Sequence, residues 1–559
     1  MTVSPPFALF YDGDAYSTAN KIMGRQSAGK ALMSGIARTW PSATVRGLVR
    51  RPAAGETLAT QLRADGFAGR IDCSALPDWR VAVDAGTLYY PAPPAKDIAA
   101  GRNLSGPSAF SLMGVTHTLA SAGAMDLLAE LILPPFQPWD ALICTSRAAH
   151  ALVGGLHDDM RAYWRESVGA TRFVDIERPV IPLGVDVPAF VTGPGDRAAA
   201  RAALGLRADE IVFLFAGRLA FHAKANPAPL YQALQKLAGE VPLVCIEAGV
   251  FAGDNIRQAY LAAQRELAPG VRFVWVDGED ADRYRQAWQG ADVFVSLSDN
   301  IQETFGLTPV EAMAAGLPVV VSDWNGYQDT VRDGVDGFRV PTVLAPAGAG
   351  AQIVLRHALG VDSYDRYIGS ASLATVVDPQ ALVHAFRRLA GDAGLRRRLG
   401  AAGRARAAAE FDWPLILHRY AELATHLGEI RGRAAHESAR PWPQRADPFR
   451  RFAGFASETL GGAWPVSARP DAAARLPALL SLPLANFVFA PHTFPRETPS
   501  VLLDGLRRGR AHTVDTLLAQ AGLANEAGIR ALMWLWKFDL VDIRPEAVPT
   551  PAPSTESKP

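Results

Sequence analysis

The sequence predicts an α/β protein with two doubly wound parallel-sheet domains and a smaller, mainly helical C-terminal domain. Short apolar strands alternate with helical segments over residues 7–190, and the same alternation returns over residues 191–425. Parallel strands need a crossover between them, which is commonly a helix, so this alternation is typical of doubly wound sheets. At 559 residues the chain exceeds the size of one hydrophobic core, and two or three domains are expected.

The first half of this pattern contains three clear apolar strands. They are predicted at residues 7–11, 44–49 and 141–145. Residues 27–39 have the composition and spacing of a helix. Another helix is expected directly after Ser146, because a serine hydroxyl at this position can accept a hydrogen bond from a free backbone N–H group of the first turn.

The second half repeats the arrangement. Buried strands are predicted at residues 211–215, 242–246, 271–276 and 292–298, with helical segments between them. Residues 379–430 are mainly helical in pattern. The two halves therefore predict two separate sheets of the same kind.

The chain is expected to divide into four segments. The first sheet domain is predicted at residues 1–190, the second at 191–435, a helical domain at 436–548 and a tail at 549–559. The linker between the sheets is expected near residues 181–186 (Ile-Pro-Leu-Gly-Val-Asp), since proline and glycine interrupt regular structure there.

The C-terminal segment has its own pattern. Two helices are predicted at residues 513–522 and 526–535, and a strand is predicted at residues 539–544. The order helix, turn, helix, strand is that of a winged-helix-like module. The tail is rich in proline and polar residues, so it is expected to be disordered.

Composition excludes several classes of function. The net charge is zero, so no overall field attracts nucleic acid or anionic lipid. Cys73, Cys144 and Cys245 have no metal-binding spacing, and a reducing cytoplasmic location is expected. The longest apolar tract, from Leu476 to Ala490, is interrupted by prolines and is too short to span a bilayer. The sequence leaves open whether the protein contacts a membrane surface peripherally.

The most informative stretch is Glu303-Thr-Phe-Gly-Leu-Thr-Pro-Val-Glu311. It follows a predicted strand and leads into a helix and another strand. In open parallel sheets, ligands bind beyond the carboxyl ends of the strands, which is where Glu303 is expected. Carboxylates there suit a ligand with several hydroxyl groups, since each can accept two or more hydrogen bonds.

Glu311 also has a purely structural interpretation. Thr308-x-x-Glu311 has the spacing of a capping box, in which the Glu311 side chain would bond back to the Thr308 backbone. Glu303 has no comparable local partner in the sequence.

A candidate anion site follows the strand predicted at 211–215. Arg218 leaves the end of this strand, and Lys224 comes six positions later. Asn226 can cap the next helix, and Pro227 suits its first turn. Two cations beside a helix N-terminus favour a phosphate, because the free amides and the helix dipole add to the fixed charge.

The region of Gly24 contains a near match to a phosphate-binding P-loop. Gly24-x-x-x-x-Gly29-Lys30-Ala31 lacks the serine or threonine that binds magnesium after the lysine. The residues before Gly24 also make a poor buried strand. A nucleotide-hydrolysing P-loop is therefore not predicted.

These motifs together resemble the retaining glycosyltransferases of family 4, also called glycosyl transferases group 1. The resemblance covers roughly residues 7–425 and rests on Arg218, Lys224, the stretch 303–311, the continuation Ala-Met-Ala-Ala-Gly-Leu-Pro-Val-Val at 312–320 and the linker at 181–186. It implies the GT-B fold, in which two Rossmann-like domains face a cleft, and C-terminal helices that cross back onto the first domain.

The resemblance also implies roles for particular residues. Arg218 and Lys224 would hold the donor diphosphate, Glu303 would face the donor sugar, and Glu311 would bind the nucleotide ribose. His117, in Met-Gly-Val-Thr-His, is similar to a histidine that faces the sugar.

The remaining candidate positions lie on backbone close to the donor. By the same resemblance, Gly24 would correspond to the family's glycines that approach the diphosphate, although this stretch departs from the commoner Gly-Gly form. The helix N-terminus at Phe305, Gly306 and Leu307 completes the predicted donor-binding set.

The implied activity is that of a retaining hexosyltransferase. It would move a sugar from a UDP- or GDP-type donor to a glycan, lipid-linked or small-molecule acceptor in carbohydrate biosynthesis. These segments contain no Asp-x-Asp metal signature, so no metal and no cofactor are expected. The N-terminal domain would bind the acceptor. The sequence does not determine the oligomeric state.

Two other classes of function stay open from sequence alone. One is an inactive transferase-like body that carries a C-terminal interaction or DNA-binding module. The predicted recognition helix at 526–535 has a single basic residue, Arg530, so a nucleic-acid partner is not favoured. The other is a different GT-B enzyme, such as a sugar-nucleotide epimerase or a phosphorylase.

Overall fold

The two predicted sheets are present and lie within one compact unit. The computed structural model describes residues 4–17, 24–191, 193, 195–434, 442–486, 493–507 and 512–544. The chain forms two compact units, Met1–Pro443 and Gln444–Pro559.

The first sheet has six parallel strands. They are β1 (Ala8–Tyr11), β2 (Thr44–Val49), β3 (Arg70–Ala75), β4 (Thr87–Tyr89), β5 (Ser111–Val115) and β6 (Ala141–Ile143). Their order in the sheet is β3-β2-β1-β4-β5-β6, so the direction of winding reverses between β1 and β4. Ligands of such sheets bind beyond the carboxyl ends of the strands at this reversal.

The second sheet repeats the same topology. Its strands are β7 (Ile211–Ala216), β8 (Leu243–Gly249), β9 (Arg272–Asp277), β10 (Val293–Ser296), β11 (Val319–Ser322) and β12 (Gly337–Val340). The order β12-β11-β10-β7-β8-β9 places the reversal between β7 and β10. A short antiparallel ribbon, β13 (Thr342–Leu344) and β14 (Thr375–Val377), follows.

Helices separate the strands throughout this unit. They are α1 (Gly13–Tyr16), α2 (Gly24–Thr39), α3 (Pro52–Ala64), α4 (Arg80–Ala85), α5 (Lys96–Arg102), α6 (Ala122–Glu130), α7 (Arg147–Val168), α8 (Asp196–Ala203), α9 (Ala228–Leu237), α10 (Asp254–Leu267), α11 (Ala281–Gly290), α12 (Leu307–Ala315), α13 (Tyr327–Thr330), α14 (Ala351–Ala358), α15 (Tyr364–Ser372), α16 (Pro379–Gly391), α17 (Ala393–Arg406) and α18 (Trp413–Gly432).

The strands form because they can be covered on both faces. Every residue of β8 is buried, as are all but the first residue of β7. Continuous apolar runs of this kind belong to parallel sheets, whose two faces are both packed against helices. The sequence predictions for β2, β7, β8 and β9 agree with the structure within one to three residues at each end.

Helix α18 packs on α2 of the first sheet domain. The Trp413 ring lies so close to Gly35 that a Cβ atom there would come within 2.6 Å of the tryptophan. Farther along α18, Arg431 donates a hydrogen bond to Ser111 Oγ at 2.6 Å. The last long helix of the unit is thus held against the N-terminal sheet.

The predicted cap at Ser146 is confirmed. Its hydroxyl accepts a hydrogen bond from Ala149 N at 3.1 Å at the start of α7. The buried positions of Cys144 and Cys245 agree with their apolar strand context. None of the helices in the described ranges is long and apolar enough to cross a membrane.

The second unit contains a small sheet and several helices. The strands β15 (Pro465–Ala468), β16 (His512–Thr513) and β17 (Val541–Ile543) form an antiparallel sheet in the order β16-β15-β17. The helices are α19 (Pro448–Arg451), α20 (Ala472–Ser481), α21 (Pro483–Asn486), α22 (Thr498–Arg507), α23 (Val514–Gln520) and α24 (Glu526–Lys537).

The predicted helix, turn, helix, strand order is present as α23, α24 and β17. Helix α24 is longer than predicted and ends at Lys537. Arg530, in its middle, donates to Thr493 O at 2.8 Å and pairs with Glu526 at 3.1 Å. These contacts engage the guanidinium within the unit. The predicted tail, 549–559, lies outside the described residues.

Candidate functional site

The predicted donor-site residues lie at the reversal point of the second sheet. Arg218 is the second residue after β7, and Glu303 lies in the loop that joins β10 to α12. Because β7 and β10 are adjacent and parallel, both loops leave the same edge of the sheet. The two sequence motifs, about 80 residues apart, are therefore neighbours in space.

Lys224 and Glu303 form the central contact of this site. Lys224 Nζ donates to Glu303 Oε2 at 2.5 Å, and the two side chains are 24% and 10% exposed. Burial by itself would raise the pKa of the Glu303 carboxyl. The charge and hydrogen bond of Lys224 and the amides of Phe305 and Thr304 outweigh it, so the pKa lies below its usual value. Glu303 is therefore ionised at neutral pH.

Arg218 lies in the same loop as Lys224. Among the described residues its guanidinium makes one long hydrogen bond, from Nη2 to Ala223 O at 3.4 Å. Asn226 fulfils its predicted role, since its Oδ1 accepts a hydrogen bond from Ala228 N at the start of α9. The loop after β7 thus presents two cations beside a capped helix N-terminus.

Glu311 does not form the predicted capping box. The N-cap of α12 is Gly306, and Thr308 Oγ1 is buried without a hydrogen-bond partner in the part of the chain that the structure describes. The tight turn into the helix displaces the cap by two residues, so the local pattern does not apply. Burial raises the pKa of Glu311 to about 7, although the charge of Lys224 opposes the rise.

The turn between Glu303 and α12 requires glycine. Gly306 has φ of +91°, a left-handed conformation that is costly for other residues. A Cβ atom at this position would come within 2.1 Å of the Tyr327 ring. Tyr327 is held in turn by a 2.7 Å hydrogen bond between its hydroxyl and Ser296 Oγ.

Thr304 joins the two sheets. Its hydroxyl donates to His117 O at 2.6 Å, and its own carbonyl accepts a hydrogen bond from Ser146 Oγ at 2.8 Å. His117 and Ser146 both follow strands of the first sheet, β5 and β6. The carboxyl edges of the two sheets therefore meet at the Glu303–Thr304 loop.

His117 is a neutral imidazole in this environment. Burial and, to a smaller extent, the nearby charge of Arg25 lower its pKa to about 4, against the opposing effect of a hydrogen bond with the Pro91 backbone. A neutral ring can donate or accept one hydrogen bond without carrying charge. His117 can therefore bind a hydroxyl group across the whole physiological pH range.

The remaining predicted residues contribute backbone rather than side chains. The Phe305 ring is buried and packs edge-on against Phe411, with centroids 6.3 Å apart. Leu307 is the first residue of α12, so its amide is free at the helix N-terminus. Gly24 is the first described residue of α2. Its predicted approach to a diphosphate stays a prediction.

The P-loop interpretation is excluded by the conformation of residues 24–30. They are helical, and a Cβ atom at Gly29 would come within 2.0 Å of Ala15 O, so this glycine serves helix packing. Lys30 is exposed on the outside of the helix. No phosphate cradle is formed there.

Three residues of the site were not singled out from sequence. Thr304 and Asn325 hold the Glu303 loop, Thr304 through His117 and Asn325 through a hydrogen bond from Nδ2 to Glu303 O. Arg25 lies close enough to His117 to lower its pKa. In the sequence, only its position in the first turn of helix α2 could have marked Arg25 as a candidate.

Within the described ranges, no group of three or more His, Cys, Asp or Glu side chains is arranged to hold a metal ion. The site instead pairs Lys224 with the Glu303 carboxylate, the charge of Lys224 reaches Glu311, and Arg218 lies in the same loop as Lys224. Such a combination can bind a pyrophosphate and the hydroxyl groups attached to it.

Glu311 yields a prediction about pH. An acid with a raised native pKa binds a proton more tightly when folded, so the free energy of unfolding falls as pH rises from about 4.5 to about 7. A shift of one pKa unit corresponds to about 1.4 kcal/mol, so above about pH 7 the ionised carboxylate lowers the free energy of unfolding by roughly 3 kcal/mol. Glu311→Gln is expected to unfold at a higher temperature than wild type at pH 8, with little difference at pH 4.5. Thermal unfolding followed by circular dichroism measures this, and a difference independent of pH would contradict it.

Comparisons with known proteins agree with this geometry. A family model described as glycosyl transferases group 1 matches residues 196–353. The D-inositol 3-phosphate glycosyltransferase of Mycolicibacterium gilvum is 31% identical over 240 residues, which cover 42% of this chain and 50% of that protein. The protein of the same name from Saccharomonospora viridis is 38% identical over 177 residues, 30% of this chain and 39% of that protein. The chain spans about half the length of the curated relatives it matches.

Solved structures share the architecture. Anabaena HepE in complex with UDP aligns with a TM-score of 0.50 at 18% identity, over 75% of this chain and 99% of that chain. A glycosyltransferase from Rickettsia africae aligns with a TM-score of 0.50 at 13% identity, over 75% and 98% of the two chains. At these identities the likeness concerns the fold. The fold class expected from sequence is confirmed: residues 196–353 match the glycosyl transferases group 1 family, and the two parallel six-stranded sheets form a GT-B fold.

Proposed function

We propose that this protein is a glycosyltransferase that moves a sugar from a nucleotide-diphosphate sugar to an acceptor. The observation that carries the proposal is the Lys224–Glu303 pair, 2.5 Å long, at the reversal point of the second sheet and beside Arg218. All three residues lie inside the region that matches the group 1 family. A cation and an acid held together there suit a sugar joined to a diphosphate.

The chemistry follows from the charges. Transfer breaks the bond between the anomeric carbon and a diphosphate oxygen, so negative charge grows on the leaving group while the sugar becomes electron-poor. Arg218 and Lys224 can stabilise the leaving diphosphate without rearranging, and preorganised charge of this kind is commonly the largest catalytic contribution. The ionised Glu303 carboxylate can accept hydrogen bonds from sugar hydroxyls.

Glu311 and His117 complete the donor contacts in this proposal. Glu311 makes no hydrogen bond or ion pair with the residues that the structure describes, so both of its oxygens are available to ribose hydroxyls. His117 approaches the Glu303 loop from the first sheet, where its backbone carbonyl accepts the hydrogen bond from Thr304. It would bind a sugar hydroxyl, because Thr304 fixes its backbone next to the Glu303 loop.

The finer assignments belong to the same proposal. The order of the motifs supports family 4, retention of the anomeric configuration and transfer of a hexose. We further propose that the reaction needs no metal ion, since the fixed cations of the second domain would neutralise the leaving group. The acceptor would bind on the side of the first sheet, and the protein would act in the cytoplasm.

A product assay tests the function. Purified protein is incubated with UDP-, GDP- or ADP-glucose, with and without a panel of acceptors, and release of the nucleoside diphosphate is followed. Release that depends on acceptor, with a new glycosidic product, is the expected result. An epimerase would convert the donor without acceptor, and a phosphorylase would consume inorganic phosphate. Either outcome would overturn the proposal.

A thermal-shift binding screen identifies the nucleotide of the donor. A ligand that binds only the folded state raises its melting temperature, by an amount that grows with ligand concentration over Kd. We expect one nucleoside diphosphate among UDP, GDP and ADP to raise the melting temperature of the wild-type chain. The Lys224→Ala variant should show a much smaller rise.

A further inference from the structure

Arg25 lies where the first sheet would contribute to the cleft. It is in the first turn of α2, which follows β1, and β1 borders the reversal point of the first sheet. Burial is the main cause of the shifted pKa values of Tyr16, Tyr89 and His117, raising those of the tyrosines and lowering that of the histidine, and the charge of Arg25 acts to lower all three, so it reaches each of them. Arg25 is therefore placed at the carboxyl edge of the first sheet, on the His117 side of the site.

Among the residues that the structure describes, this guanidinium has no counter-ion. Arg25 makes no hydrogen bond or ion pair with any residue in the described ranges, and its Nε is enclosed without a partner. Asp12, whose charge also reaches Tyr16, forms no ion pair with it. An enclosed donor without a partner costs about 1 to 3 kcal/mol.

Elsewhere in the same domain a buried arginine is engaged through both of its terminal nitrogens. Arg102 binds both carboxylate oxygens of Asp140, at 2.5 Å and 2.9 Å, and also donates to two backbone carbonyls. The contrast matters because buried polar groups are usually paired and exceptions are expected at functional sites. Arg25 is thus kept available for a group that the protein itself does not supply.

We propose that Arg25 binds a phosphate group of a substrate in the cleft, opposite the cations of the second domain. The planar guanidinium presents paired N–H donors that match phosphate oxygens. This inference rests on the proposed function and deepens it. Two sources share the chemistry: the diphosphate of the donor, and a phosphate carried by the acceptor. A phosphorylated acceptor is in keeping with the D-inositol 3-phosphate glycosyltransferases among the relatives.

The experiment uses the full chain and two probes. Calorimetry measures the Kd of UDP, or of GDP or ADP where the screen selects it, and then the Kd of inorganic phosphate with that nucleotide saturating. The variants are Arg25→Gln, which removes the charge, and Arg25→Lys, which keeps it without the paired donors. The matched control is Lys30→Gln, which removes an exposed charge from the same helix.

Arg25→Gln is expected to raise the Kd of one probe at least about tenfold. The increase should be smaller in Arg25→Lys and absent in Lys30→Gln. Weaker nucleotide binding would identify the donor diphosphate, and weaker phosphate binding over bound nucleotide would identify an acceptor phosphate. Thermal unfolding of each variant shows that the fold is intact, which is expected because Arg25 makes no contact whose loss would matter.

Three outcomes would overturn the inference. One is a change of less than twofold for both probes in Arg25→Gln. Another is an equal loss in Lys30→Gln, which would indicate a general charge effect. The last is wild-type protein that binds neither probe. Failure of the proposed function is read separately, from Arg218→Ala and Lys224→Ala: if these variants lose nucleotide binding while Arg25→Gln keeps wild-type affinity for both nucleotide and phosphate, only the Arg25 site is removed.

Discussion

Arg218→Ala is expected to lower the rate of sugar transfer by about a hundredfold or more, and Lys224→Ala by at least as much. Both side chains would face the diphosphate, and removing one preorganised charge contact from a leaving group commonly costs this much. The loss should appear mainly in kcat, because the charge to be stabilised grows in the transition state. Steady-state kinetics with the donor chosen by the binding screen measure it.

The two variants differ in their effect on folding. Arg218 makes a single 3.4 Å hydrogen bond, so Arg218→Ala should keep the wild-type melting temperature. Lys224→Ala leaves the largely buried Glu303 carboxylate without its partner, so some stability should be lost. Lys236→Ala is the matched control, because Lys236 is exposed on α9 of the same domain. Near-normal turnover by folded Arg218→Ala or Lys224→Ala protein would contradict the proposed site.

Glu303→Gln is the second variant with a large expected effect. The substitution keeps the size of the side chain but removes the charge that pairs with Lys224, and it weakens the hydrogen bonds that sugar hydroxyls would donate. We expect a fall of about a hundredfold in kcat/KM for the donor sugar, with a smaller change in the Kd of the free nucleoside diphosphate. Comparing turnover with nucleotide binding separates the two.

Stability supplies an independent readout for the same pair. Because the native pKa of Glu303 is below its unfolded value, its contribution is present above the unfolded pKa and is lost as pH falls through the native pKa. Glu303→Gln should therefore be less stable than wild type at pH 7, and the difference should shrink in acid. Glu166→Gln, on the exposed face of α7, is the control. A difference that persists at low pH would mean that the ion pair is not the cause.

The sequence was most informative where a local pattern and the tertiary structure agree. The strands from Ile211 and Leu243 are apolar apart from Glu247, and such runs belong inside a covered parallel sheet, so their positions could be predicted. Ser146 caps α7 as expected, because an N-cap needs only the first turn of its own helix. The motif order from Arg218 to Glu311 pointed to the fold before any contact was known.

Tertiary contacts decided between alternatives that the sequence left open. The Thr308–Glu311 spacing allowed a capping box, but the helix begins after the left-handed Gly306, which packs on Tyr327. The near P-loop at Gly24, which was not predicted to bind a nucleotide, is helical, and its Gly29 packs closely on Ala15. In both cases the spacing of the residues did not determine the backbone conformation.

The sequence by itself determined two sheets of one topology and the identity of the charged groups that end their strands. Only the tertiary structure decided which groups meet: Lys224 with Glu303, His117 with Thr304, and Arg25 near His117, without a partner among the described residues. Strand and helix patterns depend on neighbours a few residues apart, whereas these contacts join loops separated by many tens of residues. Their geometry depends on how the sheet edges approach one another, and that is a property of the packed molecule.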